Sequence, residues 1–455
     1  LGHRSLGRGS TTNAMTGGNN TAIGTTTLYS NQTGTNNTAV GYSALQENTT
    51  AINNVAVGSG AGDALTTGAY NVAVGTNALS TAITTTANVA VGERALEDTT
   101  GEQNTAIGAH VLRENTSGNA NVGLGYFALG TATTGTKNTA IGNQSMSNAN
   151  VTGSYNTSLG SESDYGLTSG SYNVAIGRAA LQGTCTGSFN VAIGFQALNG
   201  ITSGGENIMI GREAGHDINS GAQNVSIGHE SLMKASSHNG NTAVGFQALE
   251  NTANHSNTAL GWQAGEAITS GLGNICIGYG SETYANSSNY SYIIGYNCSG
   301  VYTNDDDSQI VIGSSTGSDR IYNEFNSNAS WTRVSDERYK EEITTNTDCG
   351  LAFINDLKPI TYKWKAKADI PDTFPDYDKD ATTRRTDKKF YGMIAQDVKA
   401  ALDKHSITDF GGWNEIEHGI QTVSQEMFVH PLIKAVQELT AKLEAAEARI
   451  KILEG

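Results

Sequence analysis

Ser335 and Lys340, within the stretch Val334-Ser335-Asp336-Glu337-Arg338-Tyr339-Lys340, are the pair of side chains whose types and spacing best suit covalent chemistry. A serine hydroxyl is a poor nucleophile until a base takes its proton. Arg338 cannot be that base, because a guanidinium does not deprotonate in a protein. Lys340, five residues after the serine, can act as one if burial lowers its pKa. The six residues from Ser335 to Lys340 also read as a helix start, with Ser335 as N-cap, acidic residues in the first turn and a salt-bridged Lys340. On these residues alone both readings stay open.

The stretch sits where the chain changes character. The 455 residues carry a net charge of −16, with 55 glycines and only four prolines. Residues 1–330 hold 21 acidic and 9 basic side chains and no proline; residues 331–455 hold 22 and 18, and all four prolines (Pro359, Pro371, Pro375, Pro431). Such a shift marks a domain boundary. An acidic first part without basic clusters argues against nucleic acid or an anionic membrane as partner, since phosphate contacts need clustered Lys or Arg. No apolar run approaches the ~20 residues of a membrane span, and no signal-peptide pattern opens the chain, so membrane insertion is not expected. The first residues, "LGHRSLG", contain no start methionine, and a preceding attachment segment is expected. Cys185, Cys276, Cys298 and Cys349 lack CxxC spacing, which fits buried small side chains in a reducing cytoplasm rather than a disulfide or zinc framework. The acidic run Asp305-Asp306-Asp307 lacks calcium-loop spacing and reads as a solvated loop. No metal and no cofactor are expected.

Self-similarity dominates the first part. The unit Asn-x-Ala-[Ile/Val]-Gly recurs with its Asn at 20, 37, 54, 71, 88, 104, 121, 138, 156, 173, 190, 207, 224, 241, 257 and 274, and two degenerate copies begin at Ser291 and Gln309. Glycine follows the anchor by four residues in all eighteen copies, and the mean period is 17. Each copy has one short alternating apolar stretch, then the glycine, then often a second pair such as Ala44-Leu45 or Ala197-Leu198. A unit that small cannot bury its own apolar face and must stack on its neighbours. Glycine then permits a positive-φ corner, Asn bonds its own backbone or forms a ladder between turns, and proline is absent because strand N–H groups must pair. Eighteen turns at ~4.8 Å predict a rod of roughly 85 Å.

This pattern resembles the parallel β-roll of trimeric autotransporter adhesin heads, although the period here is longer. Handedness and cross-section stay open. The position after the repeat glycine is aromatic in seven copies: Tyr42, Tyr126, Phe195, Phe246, Trp262, Tyr279 and Tyr296. Stacking would align them into a partial column, serving either as a seam buried between subunits or as a platform for the sugar rings of a glycan.

The chain closes on a helix with apolar residues at Leu432, Val436, Leu439, Leu443, Ala446, Ile450 and Leu453. That 4-3-4-3-4-3 spacing is a heptad seam and predicts a coiled coil, entered near His430-Pro431. Before it, "LAFINDLKPITYKWK" reads as helix, proline turn and strand, and "RRTDKKFYGMIAQDVKAAL" as loop, strand and helix.

The order Ser335-Asp336-x-Arg338-x-Lys340, Ile360-Thr361-Tyr362-x-Trp364, Gly392-Met393-Ile394-Ala395-Gln396-Asp397-Val398 and then the heptad helix resembles the endosialidase-type intramolecular chaperone auto-processing domain at the C-termini of phage tail fibres and tailspikes. The helix after Gln396 runs through Ala401-Leu402-Asp403-Lys404 without the proline often found there. The resemblance implies that Ser335 and Lys340 form a catalytic dyad cutting the Val334–Ser335 bond once per chain. In that reading Asp336 and Arg338 orient the turn, and Gly392 and Gln396 shape the site.

The expected fold is mostly β: a trimeric stacked-repeat β-solenoid over 1–313, a linker over 314–334 ending at the cleavage site, and a small α/β chaperone domain over 335–455 ending in a trimeric coiled coil at 429–454. The expected function is a homotrimeric phage tail fibre, made in the host cytoplasm and located in the virion. It would meet a cell-surface glycan or protein receptor and join other tail proteins through an upstream segment. The alternatives are a tailspike depolymerase, which would need paired carboxylates in a cleft, and a bacterial trimeric adhesin.

Overall fold

A computed structural model describes residues 5–6, 16–148, 150–301, 307–314, 320–324, 332–333, 343–373, 377–383, 389–415 and 419–454. The chain divides into two compact units, Leu1–Ser335 and Asp336–Gly455.

The first unit is a β-solenoid with one three-residue strand per turn, from β1 (Thr21–Ile23) to β17 (Tyr292–Ile294), followed by β18 (Gln309–Gly313). Consecutive strands pair in parallel one repeat apart, as in Val174↔Val191, Ala175↔Ala192 and Ile176↔Ile193. Each strand serves both neighbours: the Val191 N–H donates to Asn207 O at 2.8 Å, while the Gly194 N–H reaches back to Ile176 O at 2.8 Å. The solenoid ends on antiparallel pairing of β18 with β19 (Arg320–Glu324), and of β19 with β20 (Thr332–Arg333). The segment expected as a linker therefore holds two strands.

The core follows from the repeat. The middle residue of a strand points inward, as Ala39, Ala192 and Ala243 do, and meets the second apolar pair, Ala44-Leu45 or Ala197-Leu198, all fully buried. The third strand residue is a branched aliphatic in every turn, from Ile23 to Ile312, and none of these eighteen is buried. They form an unbroken apolar row along the outside of the strands.

The Asn anchor forms the ladder between turns. Asn190 Oδ1 accepts the Asn207 backbone N–H at 3.1 Å and its side-chain amide at 3.0 Å, and Asn190 Nδ2 donates to Gly204 O at 3.0 Å. The repeat glycine has two reasons to be glycine. Gly194 sits at φ +137°, and a Cβ there would lie 2.4 Å from Gly211 O of the next turn. The left-handed region is not reserved for glycine, however: Gln196 (φ 53°) and Leu198 (φ 53°) occupy it too, as do their equivalents in many turns. A left-handed Leu costs about 1–2 kcal/mol, which complete burial of the side chain, worth about 1.5–3 kcal/mol, offsets.

The second unit contains α1 (Leu351–Asp356), β21 (Ile360–Tyr362), β22 (Phe390–Gly392), α2 (Ala395–Lys404), β23 (Trp413–Glu415), β24 (Gln421–Val423) and α3 (Val429–Glu454). β21 pairs antiparallel with β22, and β23 with β24. Phe353, Val398, Leu402, Ile407 and Phe428 form the core, with Phe410 and Phe428 edge-to-face at 5.0 Å. The helix-turn-strand and strand-helix segments read from the sequence fall at α1–β21 and β22–α2; the β23–β24 hairpin had no counterpart in that reading. α3 is tied down at its N-terminal half, where Pro431 and Ala435 are buried and Glu438 Oε2 accepts the Leu351 N–H at 2.8 Å.

Candidate functional site

Val334, Ser335, Asp336, Arg338 and Lys340 lie outside the described residues, as do Asp305 and Asp306. Of the residues expected around the dyad, Gly392 and Gln396 are described. Gly392 ends β22 opposite Ile360; a Cβ on it would stand 2.9 Å from Gln425 Nε2 and 3.3 Å from Tyr362 Cε1. Tyr362 in turn packs on Phe390 and Trp364, with ring centroids at 5.8 and 5.4 Å. The Ile-Thr-Tyr-x-Trp and Gly-Met-Ile-Ala-Gln segments thus meet, with Gly392 leaving room for the aromatic group. Gln396 is exposed in the first turn of α2, and beside it Asp397 faces Lys358 Nζ at 3.6 Å. On the same unit Asp356 receives Lys404 Nζ at 2.7 Å and His405 Nε2 at 2.6 Å, and these two hydrogen bonds hold its carboxyl below the usual range.

Among the described residues, nothing packs over most of the heptad seam of α3; only Leu432, at its start, borders an apolar hollow with Ile354, Leu357 and Phe428. Leu432, Val436, Leu439, Leu443, Ile450 and Leu453 are each more than half exposed, and Ala446 is exposed between them.

On the solenoid, four of the seven expected aromatic residues form a continuous ladder. Phe246–Trp262, Trp262–Tyr279 and Tyr279–Tyr296 have ring centroids 5.4, 5.3 and 5.1 Å apart. His229, in the same row one turn earlier, adjoins Phe246 at 5.3 Å. Phe195 lies under the Arg178 guanidinium at 5.9 Å, Tyr126 meets His110 edge-on at 6.0 Å, and Tyr42 is exposed in its own turn. A second ladder, missed in the sequence, stacks Tyr155, Tyr172 and Phe189 with centroids 4.8 and 5.1 Å apart, and Lys137 Nζ caps the Tyr155 ring at 4.7 Å. Its signal was there to read: Ser-Tyr-Asn, Ser-Tyr-Asn and Ser-Phe-Asn at 154, 171 and 188.

Buried ionisable groups punctuate the solenoid. Asp164 is fully buried, neither carboxyl oxygen has a hydrogen-bond partner, and burial pushes its pKa up to about 8. Burial likewise raises Glu282 to about 7 and Cys185 to about 12. All four cysteines are free and buried. Among the described residues no helix is long and apolar enough to cross a membrane.

Comparison with known proteins places the C-terminal unit. Residues 335–407 match the family model described as chaperone of endosialidase. No curated protein and no solved structure matches the chain. The matched segment opens at Ser335 and runs through β21, β22 and α2 to Ile407. Residues 335–407 are thus similar to the chaperone-of-endosialidase family, and a β-solenoid ahead of such a domain fits a protein of the phage tail fibre or tailspike type.

Proposed function

We propose that the chain is a homotrimeric phage tail fibre whose solenoid meets the host surface and whose C-terminal domain aligns three chains, then releases itself before Ser335. The observation that carries this reading is the heptad seam of α3, formed along the helix and left largely exposed by the described residues. A seam of that width is covered by copies of itself. The outer row of branched aliphatics from Ile23 to Ile312 poses the same demand along the solenoid, since contiguous exposed apolar surface of that extent marks an interface.

Alignment has a physical purpose. Nearly identical turns on three chains can associate out of phase at almost equal energy, and a C-terminal coiled coil sets the phase before the rows meet. Release then follows from the dyad. Ser335 Oγ attacks the Val334 carbonyl carbon and passes its proton to the Lys340 amine. The C–N bond breaks as that proton moves to the Ser335 nitrogen, leaving an ester that water hydrolyses to a Val334 carboxylate and a Ser335 hydroxyl. Once the chaperone has left, the assembled rod has no route back through its own folding nucleus. The partners in this account are two further copies, a host glycan or protein receptor, and tail proteins bound through an upstream segment.

Sedimentation of the full chain tests the assembly. The wild type is expected as a trimer, and a Leu439→Asp/Leu443→Asp variant as monomer or aggregate. A monomeric wild type, or a variant that still forms trimers, would overturn the reading.

A further inference from the structure

We propose that Glu213, His229 and Glu230 bind a divalent transition-metal ion that clips two adjacent turns of the solenoid together. Glu213 and Glu230 are the second residues after repeat glycines Gly211 and Gly228, and His229 is the first after Gly228. Both glutamates sit at φ 55°, and the Glu230 N–H donates to Arg212 O at 2.9 Å, so the two side chains leave one corner a single turn apart. One donor atom from each of the three residues lies within 4.8 Å of the other two.

Several features point beyond an ordinary ion pair. His229 Nε2 is sealed from solvent with no hydrogen-bond partner, although it faces Glu230 Oε1 at 3.4 Å. The other Glu230 oxygen, Oε2, accepts from Gln247 Nε2 at 2.8 Å, which leaves Oε1 turned toward the imidazole. Phe246 packs on the His229 ring at 5.3 Å and sets its tilt. Support of this kind, holding a carboxylate and an imidazole in fixed orientation, is what a metal site needs around its ligands. Arg212 neutralises Glu213 from the solvent side, at 2.9 Å and well exposed, and can be displaced by a stronger cation.

The donor set selects the ion. One nitrogen and two carboxylates suit zinc and its neighbours, with bonds of about 2.0–2.2 Å. Calcium needs about six to eight oxygens and would find too few. A tetrahedral ion brings donors to roughly 3.4 Å of one another, the His229–Glu230 separation already present, so that at most about 1.4 Å of closure would fall to rotation of the Glu213 side chain. At least one coordination position would remain for water or an external ligand. Because His229 also begins the ladder that runs through Phe246, Trp262, Tyr279 and Tyr296, the ion would fix the first rung of that exposed strip.

The test is calorimetric titration of EDTA-treated full-length chain with zinc chloride, with calcium chloride as control, beside His229→Phe, Glu213→Gln and Glu230→Gln. Each variant carries a residue type found elsewhere in its own row, as in Phe195, Phe246, Gln196 and Gln247, so all should melt like the wild type in EDTA. The expected result is one zinc equivalent per chain, no calcium uptake at the same concentrations, and affinity about tenfold or more weaker in every variant. A cobalt-loaded wild type should show a ligand-field absorption band that His229→Phe lacks. No zinc uptake by the wild type, uptake unchanged in all three variants, or uptake lost instead on His238→Ala, which breaks the His238–His255 pair at 5.1 Å, would each overturn the proposal.

Discussion

Asp164 makes the stability of the solenoid depend on pH in a direction opposite to the usual carboxylate. It occupies the fourth position after its repeat glycine, Gly160, where most turns place a buried leucine such as Leu181 or Leu198. Three turns place glycine there, Gly62, Gly215 and Gly265, and fill the core from three residues further on with Leu65, Ile218 and Ile268. The Asp164 turn does the same with the fully buried Leu167, so Asp164→Gly follows a solution the fold already uses, and the left-handed φ of 51° suits it. In the folded chain burial raises this carboxyl from 3.8 to about 8. A raised folded pKa means that its stability contribution is fully present below the unfolded value and is lost as pH climbs to the folded one. Over those roughly four units the loss is on the order of 5 kcal/mol, at about 1.4 kcal/mol per unit. The assay is hydrogen exchange of amides in residues 157–181 at about pH 6 and pH 8, corrected for the chemical exchange rate. Opening that releases one proton should grow roughly fiftyfold over that interval in the wild type, and hardly at all in Asp164→Gly or Asp164→Asn. Equal pH slopes in all three chains would refute the reasoning, because Glu282 and the other raised carboxylates are present in each.

Asn190→Ala removes a ladder rung that accepts from Asn207 and donates to Gly204; leaving such groups buried and unpaired should cost about 2–4 kcal/mol, read as faster exchange in the turns around residue 190. Gly194→Ala places a Cβ against Gly211 O at a φ of +137°, and should destabilise by at least about 3 kcal/mol, seen as a lowered melting midpoint where the same change at exposed Gly18, which has open space around its Cβ position, has little effect. The buried thiols, with Cys185 raised to about 12, should resist a thiol reagent at neutral pH in the folded chain and react fully in denaturant; rapid labelling of the native chain would contradict their placement.

The sequence was readable wherever one turn repeats the next. A period of 17 puts Val174 opposite Val191, so the stacked solenoid and its glycine corners could be stated without coordinates, whereas the Asn stayed open between a bond to its own backbone and the ladder between turns that it forms. Local signals likewise placed α1 and α2 and set the seam of α3. What escaped depends on relations between turns or on distant partners. Left-handed Leu198 is invisible because leucine has no preference for that region, and burial alone holds it there. The β23–β24 hairpin, from Trp413 to Val423, lacks the alternation that marks a strand. Glu213 and Glu230 read as scattered charges until stacking brings them to one corner with His229. Asp164 looks like a surface residue in the string "SESDYG", and only the count from Gly160 reveals that it enters the core. The Tyr155–Tyr172–Phe189 ladder was legible in principle, since its rungs recur at the repeat period.

The central claim is that a folding domain begins at Ser335 and leaves the finished fibre. Intact mass of the freshly expressed chain, beside Ser335→Ala and Lys340→Ala, tests it most directly. The account predicts that the wild type separates into residues 1–334 and 335–455 while both variants stay whole. A wild type that remains uncut, or a Lys340→Ala chain that still breaks between Val334 and Ser335, would contradict it.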